Sequence, residues 1–216
     1  MVKFKDEVVL CVFAHPDDEV LGAGGMLHSM SCSKNLAILS AYRDERGDPE
    51  ADQSGDCYAA AMELGIDGEI IFGIFKDNQF DSYPRLDIIK WVESSIDKVK
   101  PTTILTHHKG DINIDHRYCY EAVMTATRRN KINVISCEIP GVTGWLKPSA
   151  WEPNMYVSLT PDDMQAKIKA MGCYKSEMQD FPGERSPDSL HYLARVRGFE
   201  SNCGLAESFM IERSFY

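Results

Sequence analysis

The sequence predicts a single α/β domain, residues 1–216, with a mostly parallel sheet flanked by helices. Short apolar, β-rich runs alternate with stretches of helical periodicity along the first 140 residues. The length suits one domain, and no linker, repeat or low-complexity segment divides the chain. Strands that alternate with helices imply right-handed crossovers, and therefore parallel strands.

The first predicted strand reads EVVLCVFA, residues 7–14, and its nearly unbroken apolar run is typical of a strand covered on both faces. Four similar runs predict strands at 35–42, 69–75, 102–108 and 132–139. Helical patterns are found at 24–30, 55–65, 84–100 and 116–129. The helix at 84–100 is the clearest, because prolines stand near its start and just past its end.

The last third of the chain is less regular. Proline and glycine interrupt 140–161 and 182–187, while helices are plausible at 162–173 and 187–197. The segment AESFMIER, residues 206–213, predicts an edge strand.

Composition limits the classes of partner and compartment. A net charge of −10 argues against bulk nucleic acid or an anionic membrane as partner. The seven cysteines include no C-x-x-C pair and indicate reduced thiols, hence a cytoplasmic protein. Lys3, Lys5, Asp6 and Glu7 stand where a signal peptide would need its apolar stretch, so none is expected, and no run approaches the roughly 18 apolar residues of a membrane span. The sequence is compatible with a homo-oligomer.

Unusual polar stretches follow several predicted strands. AHPDDE (14–19) follows the first strand, KDNQFD (76–81) the third and HHKGDINIDH (107–116) the fourth, while Arg43 and Arg46 follow the second. Ligands of such sheets bind beyond the carboxyl ends of the strands. We therefore expect these stretches to meet at one rim.

Two of these loops combine histidine with aspartate. His15 and Asp18 stand three residues apart, and Asp115 precedes His116. Histidine and carboxylate ligands with an open position are typical of catalytic Zn²⁺, although Fe²⁺ or another divalent metal would also suit them. Asp17 would remain as a general base for metal-bound water. The simpler alternative is that the His-Pro-Asp-Asp turn only caps a helix.

The segments AHPDDEVLGAGG, FKDNQFDSYPRLDIIKWVE, THHKGDINIDHRYCYEAV and AESFMIER resemble the PIG-L/LmbE-like zinc-dependent N-deacetylases. The resemblance spans nearly the whole chain. It implies a Rossmann-like sheet, a zinc ion held by His15, Asp18 and His116, and Asp17 as general base. It further implies that Asp115 tunes the site and that Arg46 binds substrate.

The chain departs from this family pattern at two places. Many members carry a histidine where this chain has Asn113, and an amide can donate to an oxyanion but cannot shuttle a proton. Asp17 would then serve as both base and acid, with His107 or His108 as a less favoured helper. After strand two the chain reads SAYRDERGD instead of the usual D-G pair, so Arg43 rivals Arg46 as the substrate ligand.

The expected function is that of a metal-dependent hydrolase that removes the acetyl group from an N-acetylated amino sugar. Because of Asn113, an alternative is a metal-containing sugar- or nucleotide-binding protein that has lost catalysis. An NAD-binding protein is a third reading, but Leu27 stands where G-x-G-x-x-G needs its last glycine. Trp145 and Trp151 could stack on a sugar, although a core role is favoured for both.

Overall fold

A seven-stranded sheet lies at the centre of the structure, a computed structural model that describes residues 7–45, 48–146 and 150–215. Its strands are β1 (Val8–Phe13), β2 (Ser33–Ile38), β5 (Ile70–Phe72), β6 (Thr103–Thr106), β7 (Asn133–Cys137), β8 (Met155–Ser158) and β9 (Ala206–Arg213). A separate antiparallel ribbon pairs β3 (Tyr42–Glu45) with β4 (Asp48–Asp52). The helices are α1 (Asp18–Ser29), α2 (Ser54–Glu63), α3 (Arg85–Val99), α4 (Ile114–Ala126), α5 (Pro161–Met171) and α6 (Pro187–Glu200).

The strand order is β5-β2-β1-β6-β7-β9-β8, and the first five of these strands are parallel. This confirms the predicted fold class. The chain builds the sheet outward from β1 to β5 and then returns to place β6 on the other side of β1. The loops after β1 and β6 therefore border the crevice where sheets of this type bind ligands.

The central strand shows why its sequence is apolar throughout. Val9, Cys11 and Phe13 face one hydrophobic cluster, which is shared with α1, α2, α5 and α6. Leu10 and Val12 face the other cluster, shared with α3 and α4. Both faces of β1 are covered, so an alternating polar pattern would bury unpaired polar groups.

The structure corrects three predictions about the sheet. AESFMIER forms β9, but β9 is not an edge strand, because β8 pairs with its outer side. The short strand β8 lies in the stretch 140–161 that was expected to be irregular. The second strand ends at Ile38, and Tyr42 onward belongs to the separate ribbon.

The first helix begins six residues earlier than the prediction at 24–30. Asp17 precedes it in a left-handed conformation, with φ of 87°, and its carbonyl accepts the N–H groups of Val20 and Leu21. Gly25 lies where an added Cβ would come 2.6 Å from a Leu159 methyl group. The glycines of GAGG thus permit close packing, as the missing third glycine suggested.

The buried ion pair of Lys167 and Glu207 makes hydrogen bonds to the backbone in the middle of α1. Lys167 of α5 donates to the Leu21 carbonyl at 2.8 Å and to Glu207 of β9 at 2.6 Å. Glu207 in turn accepts the N–H groups of Gly25 and Met26 at 3.0 and 2.7 Å. The helix that carries Asp18 is therefore bonded to both α5 and β9.

Lys167→Met is expected to lower the free energy of unfolding by roughly 3–5 kcal/mol, because it leaves the Glu207 carboxylate buried without its cation. Urea unfolding monitored by circular dichroism measures this loss. The double variant Lys167→Met/Glu207→Gln should lose less unfolding free energy than Lys167→Met alone, because no buried charge is left without a partner. Lys169→Met on the exposed face of α5 is the matched control. A loss no larger than the control's would contradict this account of the pair.

Candidate metal centre

The loops that follow β1 and β6 bring three ligand atoms together. His15 Nδ1 lies 3.4 Å from Asp18 Oδ2, and His116 Nε2 lies 3.5 Å from the same oxygen. The two imidazole centroids are 5.4 Å apart, and all three side chains are buried. The structure thus gathers the three residues that the sequence proposed as ligands.

Helix starts place two of these side chains. Asp18 opens α1, and its Oδ2 accepts the main-chain N–H of His15 at 3.0 Å, which closes the His-Pro-Asp-Asp turn. His116 lies in the first turn of α4, whose N-cap is Asn113. The Asn113 Oδ1 accepts the N–H of Asp115 at 2.8 Å, as an N-cap side chain should.

The ring nitrogens that face away from Asp18 also contact carboxylates. His15 Nε2 lies 2.9 Å from Asp77 and 3.0 Å from Asp115. His116 Nδ1 lies 3.0 Å from Asp111. Histidines that bind metals commonly donate their second N–H to a carboxylate, which fixes the tautomer and aims the other nitrogen at the ion.

The donor set fits a divalent cation. Ligand atoms about 2.0–2.1 Å from a tetrahedral zinc ion stand about 3.3–3.4 Å from one another. The two separations from Asp18 Oδ2, 3.4 and 3.5 Å, are close to this value. His15 and His116 each place one ring nitrogen against the same carboxylate oxygen of Asp18, so one divalent cation could be bound by all three atoms.

The electrostatics of the metal-free centre follow from the same contacts. Burial lowers the pKa of His15, but hydrogen bonds to Asp115, Asp18 and Asp77 outweigh burial and raise that pKa well above its usual value. Burial opposes ionisation of Asp18, yet the charges and hydrogen bonds of the neighbouring histidines hold its pKa well below the usual range. The negative charge of Asp18 is therefore maintained.

Asp111 is a residue of this centre that the sequence reasoning did not select. Its carboxylate is fully buried and contacts both His116 and, at 3.5 Å, His107. Burial opposes its ionisation, but the hydrogen bonds from these two histidines lower its pKa to about 2. The signal in the sequence was an aspartate five residues before a proposed ligand.

Asp17, the proposed general base, is also buried, and it contacts an arginine from a distant part of the chain. The Nε of Arg185 donates to Asp17 Oδ2 at 2.8 Å. Arg185 also contacts Glu184 at 2.8 Å and Glu177 at 3.7 Å. Arg185 lies 168 residues after Asp17, and no local pattern predicts that they meet.

The two candidate helper histidines differ in position. His107 stacks on His116 with centroids 3.8 Å apart, but its Nε2 accepts the main-chain N–H of Ala14 at 2.9 Å. His108 Nδ1 accepts the N–H of Gly110, and the ring packs edge-on against Trp151. Burial lowers the pKa of His108. His107 therefore borders the centre, whereas His108 packs toward Trp151.

The remaining predicted site residues fall in different places. Trp151 is half-buried and donates to Ser208 at 3.1 Å, which agrees with the core role favoured for it. Trp145 is exposed, which does not agree with a core role. Arg46 lies outside the described residues, as does the side chain of Arg43.

Glu19, the next residue after Asp18, is fully buried and accepts the Tyr174 hydroxyl at 2.5 Å. Burial raises the pKa of Glu19 from its ordinary 4.5 to about 8, although the hydrogen bond from Tyr174 opposes this rise. The folded protein thus keeps a proton between pH 4.5 and 8 that the unfolded chain releases. The contribution of Glu19 to stability is therefore largest below pH 4.5, and it falls as the pH rises toward 8, by at most about 1.4 kcal/mol per pH unit.

Glu19→Gln is expected to remove this dependence in the metal-stripped protein. Between pH 5 and 8 the free energy of unfolding of the variant should therefore rise relative to that of the wild type. Urea titrations at several pH values measure the difference, with exposed Glu63→Gln as the control. If the difference in unfolding free energy between wild type and variant stayed constant from pH 5 to 8, the raised pKa of Glu19 would be refuted.

Comparison with known proteins identifies the family. The model of the PIG-L family, described as GlcNAc-PI de-N-acetylase, matches residues 10–127, more than half of the chain. The chain belongs to the PIG-L family. The matched segment contains His15, Asp18 and His116, the three residues of the candidate metal centre.

Two curated relatives of this PIG-L chain carry deacetylase names. The uncharacterized deacetylase YaiS of Escherichia coli strain K12 is 27% identical over 184 residues, covering 80% of this chain and 92% of YaiS. The probable N-acetyl-alpha-D-glucosaminyl L-malate deacetylase 2 of Bacillus subtilis strain 168 is 28% identical over 140 residues, 58% of this chain and 62% of that protein. With the family match, they support deacetylase activity, a hydrolase reaction, for this chain.

The fold has solved counterparts. The N,N'-diacetylchitobiose deacetylase of Pyrococcus horikoshii superposes with a TM-score of 0.78 at 20% identity, over 97% of this chain and 85% of that one. This similarity confirms the Rossmann-like PIG-L fold. Within the described ranges, no helix is both long and apolar enough to cross a membrane.

Proposed function

We propose that the protein is a metal-dependent N-deacetylase that hydrolyses the acetamido group of an amino sugar or its conjugate and releases acetate. The observation that carries the proposal is the convergence of His15, Asp18 and His116, with the buried Asp17 directly before Asp18 in the chain. The deacetylase names of the relatives support the reaction, and their sugar substrates support the substrate class. Zn²⁺ suits this donor set best, and Fe²⁺ is the alternative.

A divalent ion at this position would supply Lewis acidity, which polarises an amide carbonyl and lowers the pKa of a water molecule. The chain's own residues provide the proton transfers. We assign the carboxylate of Asp17 to accept the proton of the attacking water. Arg185 fixes this carboxylate through its contact at 2.8 Å, and so keeps Asp17 in one orientation.

The leaving amine also needs a proton. Asn113 cannot supply one, and its Oδ1 is occupied as the helix cap. His107 is buried, and its Nε2 accepts a main-chain N–H, so a proton there would break a buried hydrogen bond. Asp17 is therefore the proposed acid as well as the base: it takes the proton from water and gives it to the amine.

Amine release tests this function. Metal-stripped protein would be assayed against a panel of acetamido sugars and sugar nucleotides, alone and with Zn²⁺ or Fe²⁺. We expect a free amine and acetate in equal amounts from at least one compound, only with metal. A protein that binds metal and sugar tightly but releases no amine would instead be the binding protein that Asn113 suggested. Release that is unchanged without metal would overturn the proposal.

A further inference from the structure

The outer face of α6 carries apolar side chains where a surface helix is usually polar. Tyr192 is 56% exposed, Val196 50% and Phe199 87%. These residues follow one another at spacings of four and three, so they lie in one line along a single face of the helix. The buried residues of α6 lie on the opposite face: Leu190, Ala194 and Gly198.

Phe181, in the loop before α6, extends this exposed face. Its ring packs edge-on against the ring of Tyr192, with centroids 5.8 Å apart, and it is itself 58% exposed. We call Phe181, Tyr192, Val196 and Phe199 the apolar stripe. Helix spacing and one ring contact join its members, and exposed apolar groups that lie together commonly mark an interaction surface.

Two exposed residues of opposite charge border the stripe on the same flank. Asp188 stands four residues before Tyr192 and Arg195 three residues after it. At 3.6 residues per turn they lie about 40° and about 60° to the same side of Tyr192. On the other flank, Glu200 accepts two hydrogen bonds from Arg197, at 2.8 and 2.7 Å, so its charge is compensated within the helix.

We infer that the apolar stripe binds a second copy of this chain, with the two α6 helices antiparallel about a twofold axis at Tyr192. In such a pair, residues before Tyr192 on one helix face residues after Tyr192 on the other, flank against the same flank. Asp188 of each copy then lies within about one residue rise, 1.5 Å, of Arg195 of the other. Phe199 lies toward the loop that carries Phe181 in the other copy. The stripe is thus complementary to itself in charge and in apolar character.

The size of the stripe suits this occupant. The exposed fractions of its three aromatic residues correspond to about 300–500 Å², because such side chains have about 150–250 Å² each. A standard interface takes about 800 Å² from each partner, and about 56–65% of that area is apolar, which is about 450–520 Å². The stripe, completed by Val196, supplies an apolar area of this order.

Other occupants fit the same surface less well. Small molecules bind in concave sites, whereas the outer face of a helix is convex. An anionic membrane is disfavoured by Asp188, by Asp180 beside Phe181, and by the net charge of −10.

Sedimentation velocity of the full chain over about 1–100 μM tests the inference, since interfaces of this size bind in the micromolar range or more tightly. We expect a reversible equilibrium between monomer and dimer. Tyr192→Glu and Phe199→Glu should each raise the Kd of the dimer at least about 30-fold, as expected for a central aromatic residue. Met62→Glu, which changes a residue of α2 that is 81% exposed, is the matched control. Circular dichroism verifies that each variant is folded.

Charge reversal tests the antiparallel arrangement. Asp188→Arg and Arg195→Asp should each weaken the dimer, and the double variant Asp188→Arg/Arg195→Asp should restore it, because opposite charges again face each other across the axis. Amine release is not measured, so the result does not depend on the proposed function.

Four outcomes would overturn the inference. A wild-type chain that stays monomeric at about 100 μM would exclude the dimer. A dimer that survives Phe199→Glu would use another face. A dimer that is lost in Phe199→Glu but is insensitive to both charge reversals would pair in another arrangement. A monomeric chain that binds phosphatidylcholine vesicles through Phe199 would assign the stripe to a membrane.

Discussion

His116→Ala is expected to abolish stable metal binding and to reduce amine release to the background rate. The substitution removes one of the three proposed ligand atoms, and the remaining two cannot complete the tetrahedral arrangement that zinc prefers. Metal content after gel filtration, measured by plasma mass spectrometry, is the direct readout, and the rate of amine release is the second.

Two further variants make this result specific. Asp111→Asn should weaken metal binding by only about 10–100-fold, because it alters the group that orients His116 and not a ligand atom. His191→Ala on α6, where the ring contacts Arg195, should leave both readouts unchanged. If His116→Ala retained one equivalent of metal, the assignment of the centre would be wrong.

Asp17→Asn is expected to lower kcat by about 10²–10⁴-fold while the metal stays bound, since general acid–base catalysis contributes about this much. Asparagine has nearly the same size and tolerates the left-handed backbone of this position, φ 87°, so the fold should persist. Steady-state amine release and metal content would be measured on the same preparation.

The control for this variant is Asp97→Asn, which changes an exposed aspartate on α3. Near-normal kcat in Asp17→Asn would transfer the role of base to another group, with His107 the first candidate because it stacks on His116. Loss of metal from Asp17→Asn would show instead that Asp17 supports the centre structurally.

The approach of the loops after β1 and β6 was predictable, because parallel strands end at a common edge and both strands had clear apolar patterns. The resemblance to the PIG-L/LmbE-like family then implied His15, Asp18 and His116 as the ligand set. The resemblance also pointed to Asp115, and the structure places its Oδ2 3.0 Å from the Nε2 of His15.

The partners of these residues were not predictable in the same way. Arg185 and Asp77 stand in loops, where no periodicity fixes the direction of a side chain. Glu207 lies on a strand, and the strand's pattern predicts which face a side chain is on but not which residue it contacts. The sequence therefore allowed an ion pair of Glu207 with Arg185 as readily as the observed pair with Lys167. Local patterns specify elements, and contacts between distant segments depend on how those elements pack.

The bonds from Glu207 to Gly25 and Met26 also set an order of events during synthesis. Glu207 lies 182 residues after Gly25, and at ordinary rates of translation this stretch takes roughly 10–40 s to make. Throughout that interval the nascent chain already contains His15 and Asp18 but lacks the strand that secures their helix. We therefore expect the ion to be captured only after residue 207 has emerged from the ribosome.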